Sequence, residues 1–425
     1  MGRANLLLSL CMPAALLGAV GPAAAQGQPD KPPAGKPAPK KPDLELFDEV
    51  YRLFRDQFYD RGLHGVDWEA AYKKHRPRAE QARTPEELHD AMSAMIAELK
   101  ASHACVIEGD VYRDHVEAES HGKPVPEYGM RVVHLPEGWF VSEVVHGSAA
   151  LAAGVRRGDR VISVDGVPVE SAPLRPAPWD SGLGIPREYY LPTPKVAGQA
   201  VRLDLERFPR PKGLYTVEVK AANWNLLEAS LASRRVIERQ GVKIGYLRLY
   251  HLLSDDMVEL LLEFLVKDLR DAQAVVVDLR GMGGLPRAVE KIADLMDPNR
   301  LGCPVWGRPA VALIDRGTRS AKEMVAWEWR TRGVGPLVGT RSAGAVIGAS
   351  FKQLDDGACL LFPSMDMRSS TGGVVLEGRG MEPDFPVDNA VPWAQGRDPV
   401  LEKGLEVAED LARALARRGK KHGWH

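Results

Sequence analysis

The chain has 425 residues, too many for one hydrophobic core, so two or three domains are expected. It is 44% hydrophobic and 27% charged, an ordinary balance for a globular protein. The formal net charge is −1 and no long basic or acidic block occurs. Composition therefore gives no electrostatic reason to expect nucleic acid or an anionic membrane surface as a partner.

The first 42 residues predict an export signal and a linker. Arg3 gives a positive start, an apolar run follows, and Ala23-Ala24-Ala25 supplies an A-x-A cleavage site. The run is too short for a transmembrane helix, so 1–25 predict a signal peptide cleaved after Ala25, with no membrane segment left after processing. Residues 26–42 are rich in Pro, Lys and Gly and predict an extended tether. A secreted or periplasmic location is therefore expected.

Three cysteines remain after this processing: Cys105, Cys303 and Cys359. The odd number allows at most one disulfide and leaves one thiol over. Because the spacing matches no zinc site, we expect buried, small hydrophobic side chains instead. No metal and no cofactor are predicted.

Residues 43–100 predict an N-terminal helical domain. Apolar residues recur at helical spacing from Phe47 to Phe58. A second clear helix begins at Thr84-Pro85-Glu86-Glu87, which combines a capping box with proline at the first helical position. This helix is expected to end just before Ser102-His103. The segment 101–124 that follows is expected to contribute the loop that carries His103 to the domain of residues 228–395.

Residues 125–222 change to a β pattern. Five short β-like runs are predicted: Met130–His134, Trp139–Val144, Arg160–Val164, Val201–Leu205 and Tyr215–Val219. Asp165-Gly166 predicts a tight hairpin turn. The stretch 168–198 contains several prolines and is expected to be a loop-rich insertion.

Residues 228–395 alternate strands and helices, the pattern of an α/β domain, and 396–425 predict a final helix. Ala274–Leu279 and Ala310–Ile314 are nearly all apolar, as expected for strands buried on both faces. Gly281-Met282-Gly283-Gly284 follows the first of them. A short turn leads from the second to Ser320 and a helix.

Ser320 is the candidate nucleophile. Ligands of open α/β sheets bind at the carboxyl ends of the strands, and the N-terminus of a helix stabilises negative charge. A serine there can attack a carbonyl while nearby backbone N–H groups hold the oxyanion. Ser320 could equally be only a helix N-cap, and the Gly283-Gly284 pair only a turn. The base is not identified by spacing, because the chain holds 11 histidines and the position of His103 beside Ser102 is only suggestive.

Five segments, in order, resemble the C-terminal processing and tricorn-core serine peptidases. Residues 278–284 resemble D-L-R-x-N-x-G-G, and 317–323 resemble the S-A-S-A-S-E segment, whose middle serine is the nucleophile. Residues 339–345 resemble G-x-x-T-x-G-x, 377–384 resemble E-x-x-G-I-E-P-D, and 129–166 are similar to the family's PDZ domain. The resemblance implies a ClpP/crotonase-like α/β catalytic core with an N-terminal helical domain and an inserted PDZ domain.

The resemblance also implies the roles of single residues. The processing branch uses a Ser-Lys dyad, but Ala345 stands where its lysine is found. The tricorn branch uses the histidine of an L-x-x-S-H segment, which Leu99 to His103 match. His103 is then the base for Ser320, and Ser102 and Glu377 orient it. Without the resemblance, Glu377 would be interpreted as a solvated surface carboxylate.

The oxyanion donors implied by the resemblance are the backbone N–H groups of Ala321 and of Gly283 or Gly284. Met282 stands where asparagine is usual, so the choice of glycine stays open. Arg319 and Lys322 replace small residues beside the nucleophile and add charge near the site.

The PDZ-like segment implies a way for substrates to bind. PDZ domains add a peptide as a strand and hold its terminal carboxylate on backbone N–H groups. Tyr128, Gly129, Met130 and Arg131 form the candidate carboxylate loop. Alternatively, the domain only packs on the catalytic sheet and gates it.

These features predict an exported serine endopeptidase that acts on polypeptides, either unfolded or with exposed C-termini. One alternative is a catalytically silent homologue that binds peptides or hydrophobic ligands. Another is an esterase-like hydrolase that uses the same residues. The oligomeric state is not predicted.

Overall fold

A computed structural model describes residues 43–177, 187–209, 213–300 and 304–421. The predicted signal peptide, the linker and Cys303 lie outside these residues. Within them, none of the helices combines the length and the apolar character that a membrane span requires.

In chain order, the helices of the described residues are α1 (Leu44–Gln57), α2 (Trp68–Glu80), α3 (Pro85–Ala97), α4 (Gly109–Tyr112), α5 (Ala118–Ser120), α6 (Ala149–Ala152), α7 (Leu226–Ser233), α8 (Asp256–Glu263), α9 (Arg287–Met296), α10 (Ala321–Thr331) and α11 (Pro399–Lys421). The strands are β1 (Cys105–Ile107), β2 (Val125–Glu127), β3 (Met130–Leu135), β4 (Gly138–Val144), β5 (Arg160–Val164), β6 (Val167–Pro168), β7 (Arg175–Pro176), β8 (Glu188–Tyr190), β9 (Ala200–Glu206), β10 (Leu214–Lys220), β11 (Ala222–Trp224), β12 (Arg235–Arg239), β13 (Val242–Arg248), β14 (Ala274–Asp278), β15 (Ala310–Ile314), β16 (Leu337–Gly339), β17 (Ile347–Gln353), β18 (Cys359–Asp366) and β19 (Phe385–Pro386).

The N-terminal helices pack together and against a hairpin from the far end of the chain. The predicted start of α3 is confirmed, because the Thr84 hydroxyl accepts the Glu87 amide at 3.3 Å and Pro85 is the first helical residue. Strands β17 and β18 form the hairpin, and β1 pairs with β18. Phe54 of α1 meets Phe362 of β18 edge to face, with ring centroids 5.0 Å apart. This packing fixes the segment that follows α3 over the core.

The β-rich region forms a sheet in the order β10-β9-β5-β4-β3-β8-β7, with β6 pairing to β5. All five predicted strands are present within a residue of their expected ends. Asp165 and Gly166 both have positive φ, 51° and 78°, as a two-residue hairpin turn of the predicted kind requires.

The stretch 168–198 is loop-rich in its described residues, as predicted, but it also contributes two short strands that the prediction did not include. These are β7 and β8, and β8 pairs antiparallel with β3. Pro176 is compatible with β7 because β7 lies at the sheet edge, where a missing N–H removes no ladder hydrogen bond.

The α/β region is built on a sheet in the order β12-β13-β14-β15-β16-β19. Strands β13, β14, β15, β16 and β19 are parallel to one another, and β12 pairs antiparallel with β13 at one edge. Helices α8, α9 and α10 bury their apolar faces on one side of the sheet, and α11 covers the other. This arrangement confirms the predicted α/β core and brings the turns after β14 and β15 to the same end of the sheet.

Candidate active site

Ser320 lies in a strained turn between β15 and α10. Its φ is 55° and its ψ is −128°, a conformation that non-glycine residues rarely adopt. Strain of this kind recurs at nucleophiles on sharp strand-to-helix turns. A Cβ atom placed on Gly283 would lie 2.7 Å from Ser320 Cβ, so only glycine fits at that position.

A buried carboxylate holds the loop that faces Ser320. Glu323, in the first turn of α10, accepts the amides of Gly344 and Ala345, each at 2.7 Å, and the hydroxyl of Ser342. The Ser320 amide in turn donates to the Ala345 carbonyl at 2.9 Å. Burial raises the pKa of Glu323 to about 7, although these hydrogen bonds oppose the shift. The resemblance supplied the spacing of Glu323 from Ser320 but not this role.

Ser102, His103 and Glu377 come together although 275 residues separate Ser102 from Glu377. Ser102 Oγ lies 2.9 Å from His103 Nδ1 and donates to Glu377 Oε2 at 2.9 Å. Glu377 also accepts the amides of Ser102, at 3.0 Å, and of Val346, at 2.7 Å. Glu377 is therefore a half-buried acceptor with three donors and not a solvated surface carboxylate.

This hydrogen-bond pattern selects one tautomer of His103. Ser102 Oγ donates its single proton to Glu377 Oε2, so the hydroxyl can only accept from His103 Nδ1–H. A proton on Nδ1 leaves Nε2 as the basic nitrogen. His103 itself has a positive φ of 56°, so the backbone of this loop is also strained.

Burial and one cation control the charges of the site. Burial, and then the positive charge of Arg319, lower the pKa of His103 well below its ordinary value. Burial raises the pKa of Glu377, while the hydrogen bonds from Ser102 and Val346 and the charge of Arg319 oppose that rise. Arg319 immediately precedes Ser320, and its positive charge lowers the pKa of His103 and opposes the rise in the pKa of Glu377. The Ser320 turn and the His103–Glu377 cluster are therefore coupled electrostatically.

The two halves do not touch through the expected hydrogen bond. In the described part of the chain, no hydrogen bond joins the Ser320 and His103 side chains. Such bonds are commonly long or misaligned without substrate and tighten only when substrate binds. The role of His103 as the base for Ser320 therefore stays a prediction.

Of the two candidate oxyanion glycines, Gly283 faces Ser320. Gly284 packs against the backbone of Leu252, where an added Cβ would lie 2.4 Å from the Leu252 carbonyl carbon. The Gly283 carbonyl accepts the Leu252 amide at 3.0 Å, which anchors the turn from the opposite side. Ala321 begins α10, where backbone N–H groups have no partner within the helix.

The strand β3 that was predicted to bind a peptide is present in the PDZ domain, but its edge is already paired with β8. Strand β3 begins at Met130, and β8 occupies its outer edge with Val132 opposite Tyr189. An added Cβ on Gly129 would lie 2.2 Å from Ser148 Cβ and 2.8 Å from the Trp224 ring. A peptide could add to β3 only if β8 left the edge.

Three further interactions hold β8 in place. Glu188 forms an ion pair with Arg131 at 3.2 Å and accepts the Ser142 hydroxyl at 2.8 Å. The Tyr190 ring stacks on the His115 ring with centroids 4.7 Å apart. The binding role of Tyr128 and its three neighbours stays a prediction.

A cavity of about 920 Å³ lies between the PDZ sheet and the carboxyl end of the core sheet. Arg131 and Glu143 line it from the PDZ side, and Arg248, Met282 and Arg319 from the core. Arg319 brings this cavity to the turn that holds Ser320, but neither Ser320 nor His103 is among the residues that line it. Within the described ranges, no group of His, Cys, Asp or Glu side chains could hold a metal ion.

The two described cysteines behave as small core residues. Cys105 of β1 and Cys359 of β18 are buried thiols beside Ile107 and Leu361. Burial raises the pKa of Cys359 to about 11, which disfavours the reactive thiolate.

Three parts of the chain match known domains. Residues 39–97 match the Tricorn protease C1 domain, residues 120–176 the PDZ domain and residues 243–387 peptidase family S41. Ser320 and Glu377 lie inside the S41 match, whereas His103 lies between the first two matches.

Two curated relatives cover most of the chain. Tricorn protease homolog 1 of Streptomyces coelicolor is 27% identical over 397 residues, which are 86% of this chain and 35% of that protein. The carboxyl-terminal-processing protease of Picosynechococcus sp. is 24% identical over 337 residues, which are 74% of this chain and 76% of that protein. The chain spans about a third of the length of its Streptomyces tricorn relatives.

Two solved structures share the fold. The photosystem II D1 C-terminal processing protease covers 84% of this chain and 98% of its own, at 19% identity and a TM-score of 0.50. Mature CPAF covers 87% of this chain and 97% of its own, at 14% identity and a TM-score of 0.54. The chain therefore carries a Tricorn protease C1 domain, a PDZ domain and a peptidase family S41 domain, and it is similar to the tricorn and carboxyl-terminal-processing proteases.

Proposed function

We propose that this chain is an exported serine endopeptidase that cleaves polypeptides through an acyl-enzyme formed on Ser320. One observation carries the proposal. The hydrogen-bonded chain Glu377–Ser102–His103 leaves His103 Nε2 as the basic nitrogen. The backbone of residues 345–346 connects this chain to Ser320, because Glu377 accepts the Val346 amide and the Ala345 carbonyl accepts the amide of Ser320, which is held in a strained turn at a helix N-terminus.

The chemistry follows from these positions. His103 Nε2 takes the proton of Ser320 Oγ as the oxygen attacks the scissile carbonyl. The amides of Gly283 and Ala321 are the proposed donors to the resulting oxyanion. The charged imidazole then gives its proton to the leaving amine, and water attacks the acyl-serine with His103 again as base. Glu377 stabilises the charged imidazole through Ser102, which donates one hydrogen bond and accepts the other.

Arg319 adds a constraint to this mechanism. Burial and, after it, the charge of Arg319 lower the pKa of His103, so both favour the neutral imidazole and disfavour the imidazolium that forms during catalysis. The Glu377 carboxylate opposes the effect of Arg319, because its negative charge favours the charged imidazole through Ser102.

Substrate binding is proposed to involve the PDZ domain and the cavity beside it. Strand β3, with Tyr128, Gly129, Met130 and Arg131 at its start, would take up a chain end after β8 is displaced. The cavity would then lead the bound segment to Ser320. Unfolded chains and exposed C-termini are the proposed substrates, because both can adopt an extended strand.

The first test is degradation of an unfolded protein that has a hydrophobic C-terminus. The native protein is expected to cleave it, and Ser320→Ala and His103→Ala are expected to lose at least about 10³-fold in rate. His121→Ala is the matched control, because His121 is exposed and lies outside the site. Cleavage undiminished in His103→Ala would refute the assigned base.

A separate test addresses export. The full chain, expressed in a bacterium, is expected in the periplasmic or secreted fraction with a new N-terminus at Gln26. An intact N-terminus in the cytoplasmic fraction would contradict this part of the proposal. If the exported protein cleaves neither peptides nor esters but binds them, the silent binding homologue becomes the better interpretation; ester cleavage alone would favour the esterase.

A further inference from the structure

Lys322 is a buried cation that the proposed reaction does not use. It is the second residue of α10, two positions after Ser320, and its side chain is fully buried. Its Nζ donates to the carbonyls of Tyr250 and Arg280, each at 3.0 Å. A buried ammonium carries a large desolvation cost, so its presence needs a compensating role.

The Arg280 carbonyl opens the turn that reaches Ser320. This turn, residues 280–284, carries Gly283, which lies against Ser320. Several other contacts also hold the turn, including the hydrogen bonds of the Arg280 amide and guanidinium to Asp278. Asp315 accepts the Gly281 amide at 3.1 Å, and the Leu252 amide donates to the Gly283 carbonyl at 3.0 Å. Of these contacts, the Lys322 hydrogen bond ties the turn to the helix that follows the nucleophile.

We propose that the Lys322 ammonium is a positioning residue that fixes the 280–284 turn against the first turn of α10 and so sets the distance between the Gly283 amide and Ser320. This inference rests on the proposed function. Oxyanion donors act only when they are held where the negative charge develops, so a small shift of the turn lowers the rate.

The second acceptor connects Lys322 to the PDZ domain. The Tyr250 hydroxyl accepts the His146 amide at 3.1 Å and lies 2.7 Å from His146 Nδ1. The Tyr250 carbonyl accepts from Lys322. Lys322 therefore contacts the 280–284 turn directly and is connected to the PDZ domain only through Tyr250.

The charge of Lys322 is sensitive to pH. Burial, and then the nearby Arg248, lower its pKa to about 7. The other charged groups around it are Arg280, Asp278, Asp315, Glu143 and, next along the helix, Glu323. Loss of the proton as the pH rises weakens both hydrogen bonds, because charge-assisted bonds are about twice as strong as neutral ones.

The variant Lys322→Met tests the proposal with two readouts. The first is steady-state peptide cleavage: kcat is expected to fall about tenfold or more, a part of the 10²–10³-fold effect of losing an oxyanion donor, while KM stays within about twofold. The native kcat is expected to decline above a pH of about 7, because Lys322 loses its proton there. This decline is expected to be absent in the variant. Glu323 titrates in the same range but remains in both proteins, so it cannot explain this difference.

The second readout is hydrogen exchange of the amides in residues 279–286, which needs no activity. Exchange there is expected to accelerate in Lys322→Met and less in Lys322→Gln, which keeps an N–H donor without the charge. Lys267→Met is the matched control, because Lys267 is exposed on the surface beyond α8. If Lys322→Met does not fold, Lys322→Gln and the native pH profile provide the test.

Unchanged exchange in 279–286 would overturn the proposal, as would faster exchange with an unchanged kcat. A fall in kcat that matches the unfolded fraction would also overturn it. If the native protein cleaves nothing, the proposed function fails, but the exchange result still decides whether Lys322 holds the turn.

Discussion

The His103 loop and the PDZ strand edge were both identified by resemblance. The structure assembles the loop with its predicted partners, whereas it pairs the strand edge with another strand of the same chain. In the loop, Ser102 connects His103 to a carboxylate from the far end of the chain. At the edge, β8 takes the place that a peptide would need on β3. A motif indicates which residues belong to a site, but the rest of the chain decides whether the site is open.

The difference has a physical cause. The loop needs a few side chains to meet, and packing of α1 on β18 and of Glu323 on the 344–345 backbone brings them together. Peptide binding at the edge of β3 instead requires that no other strand pairs with β3. Any segment of suitable length and composition can satisfy such an edge, and Glu188 to Tyr190 do so in this chain.

The largest expected effect concerns the candidate active site and tests the role of Glu377. In Glu377→Gln, the amide keeps the shape of the side chain but removes the charge that favours imidazolium. We expect kcat/KM for peptide cleavage to fall about 10²–10⁴-fold, as when the carboxylate of a serine-protease triad is neutralised. Steady-state kinetics measure this, with the exposed Glu382→Gln as control. A loss of less than about threefold would show that Glu377 has no part in orienting the base.

The next prediction concerns the PDZ edge. Tyr190→Ala removes the stack on His115 that helps to hold β8. Such a stack contributes about 0.5–1.5 kcal/mol, so the population with an open edge is expected to rise about two- to tenfold. Fluorescence anisotropy of a labelled peptide with a hydrophobic C-terminus should show tighter binding by the same factor.

Tyr190→Phe keeps the aromatic ring and is the control for this experiment. It should bind the peptide as the native protein does. Equal affinity in all three proteins would favour the alternative in which the PDZ domain only packs on the core.

The smallest effect sharpens the electrostatic part of the site. Arg319→Gln removes a positive charge that lowers the pKa of His103, so that pKa rises. His103 then becomes protonated at higher pH, and the acid limb of kcat/KM moves to higher pH. A pH profile of peptide cleavage measures the shift, with the exposed Arg300→Gln as control. Movement of the limb to lower pH, or none, would exclude Arg319 as the cause.

Much of the architecture could be predicted from local patterns. Ala274–Leu279 and Ala310–Ile314 predicted buried parallel strands because only strands covered on both faces are so uniformly apolar. Thr84 and Pro85 predicted the start of α3, and Asp165-Gly166 predicted a turn, because these residues act through contacts with their own neighbours.

The sequence by itself determined the α/β core and the helical region before it, since periodicity is a local property of the chain, and its resemblance to the tricorn and processing peptidases supplied the candidates Ser320, His103 and Glu377. The tertiary structure alone decided that Glu377 accepts from Ser102, that Gly283 and not Gly284 faces Ser320, and that Lys322 reaches the Arg280 carbonyl. It also decided that β8 closes the edge of β3. Each of these is a contact between segments far apart in the chain, and its geometry depends on how the whole core packs.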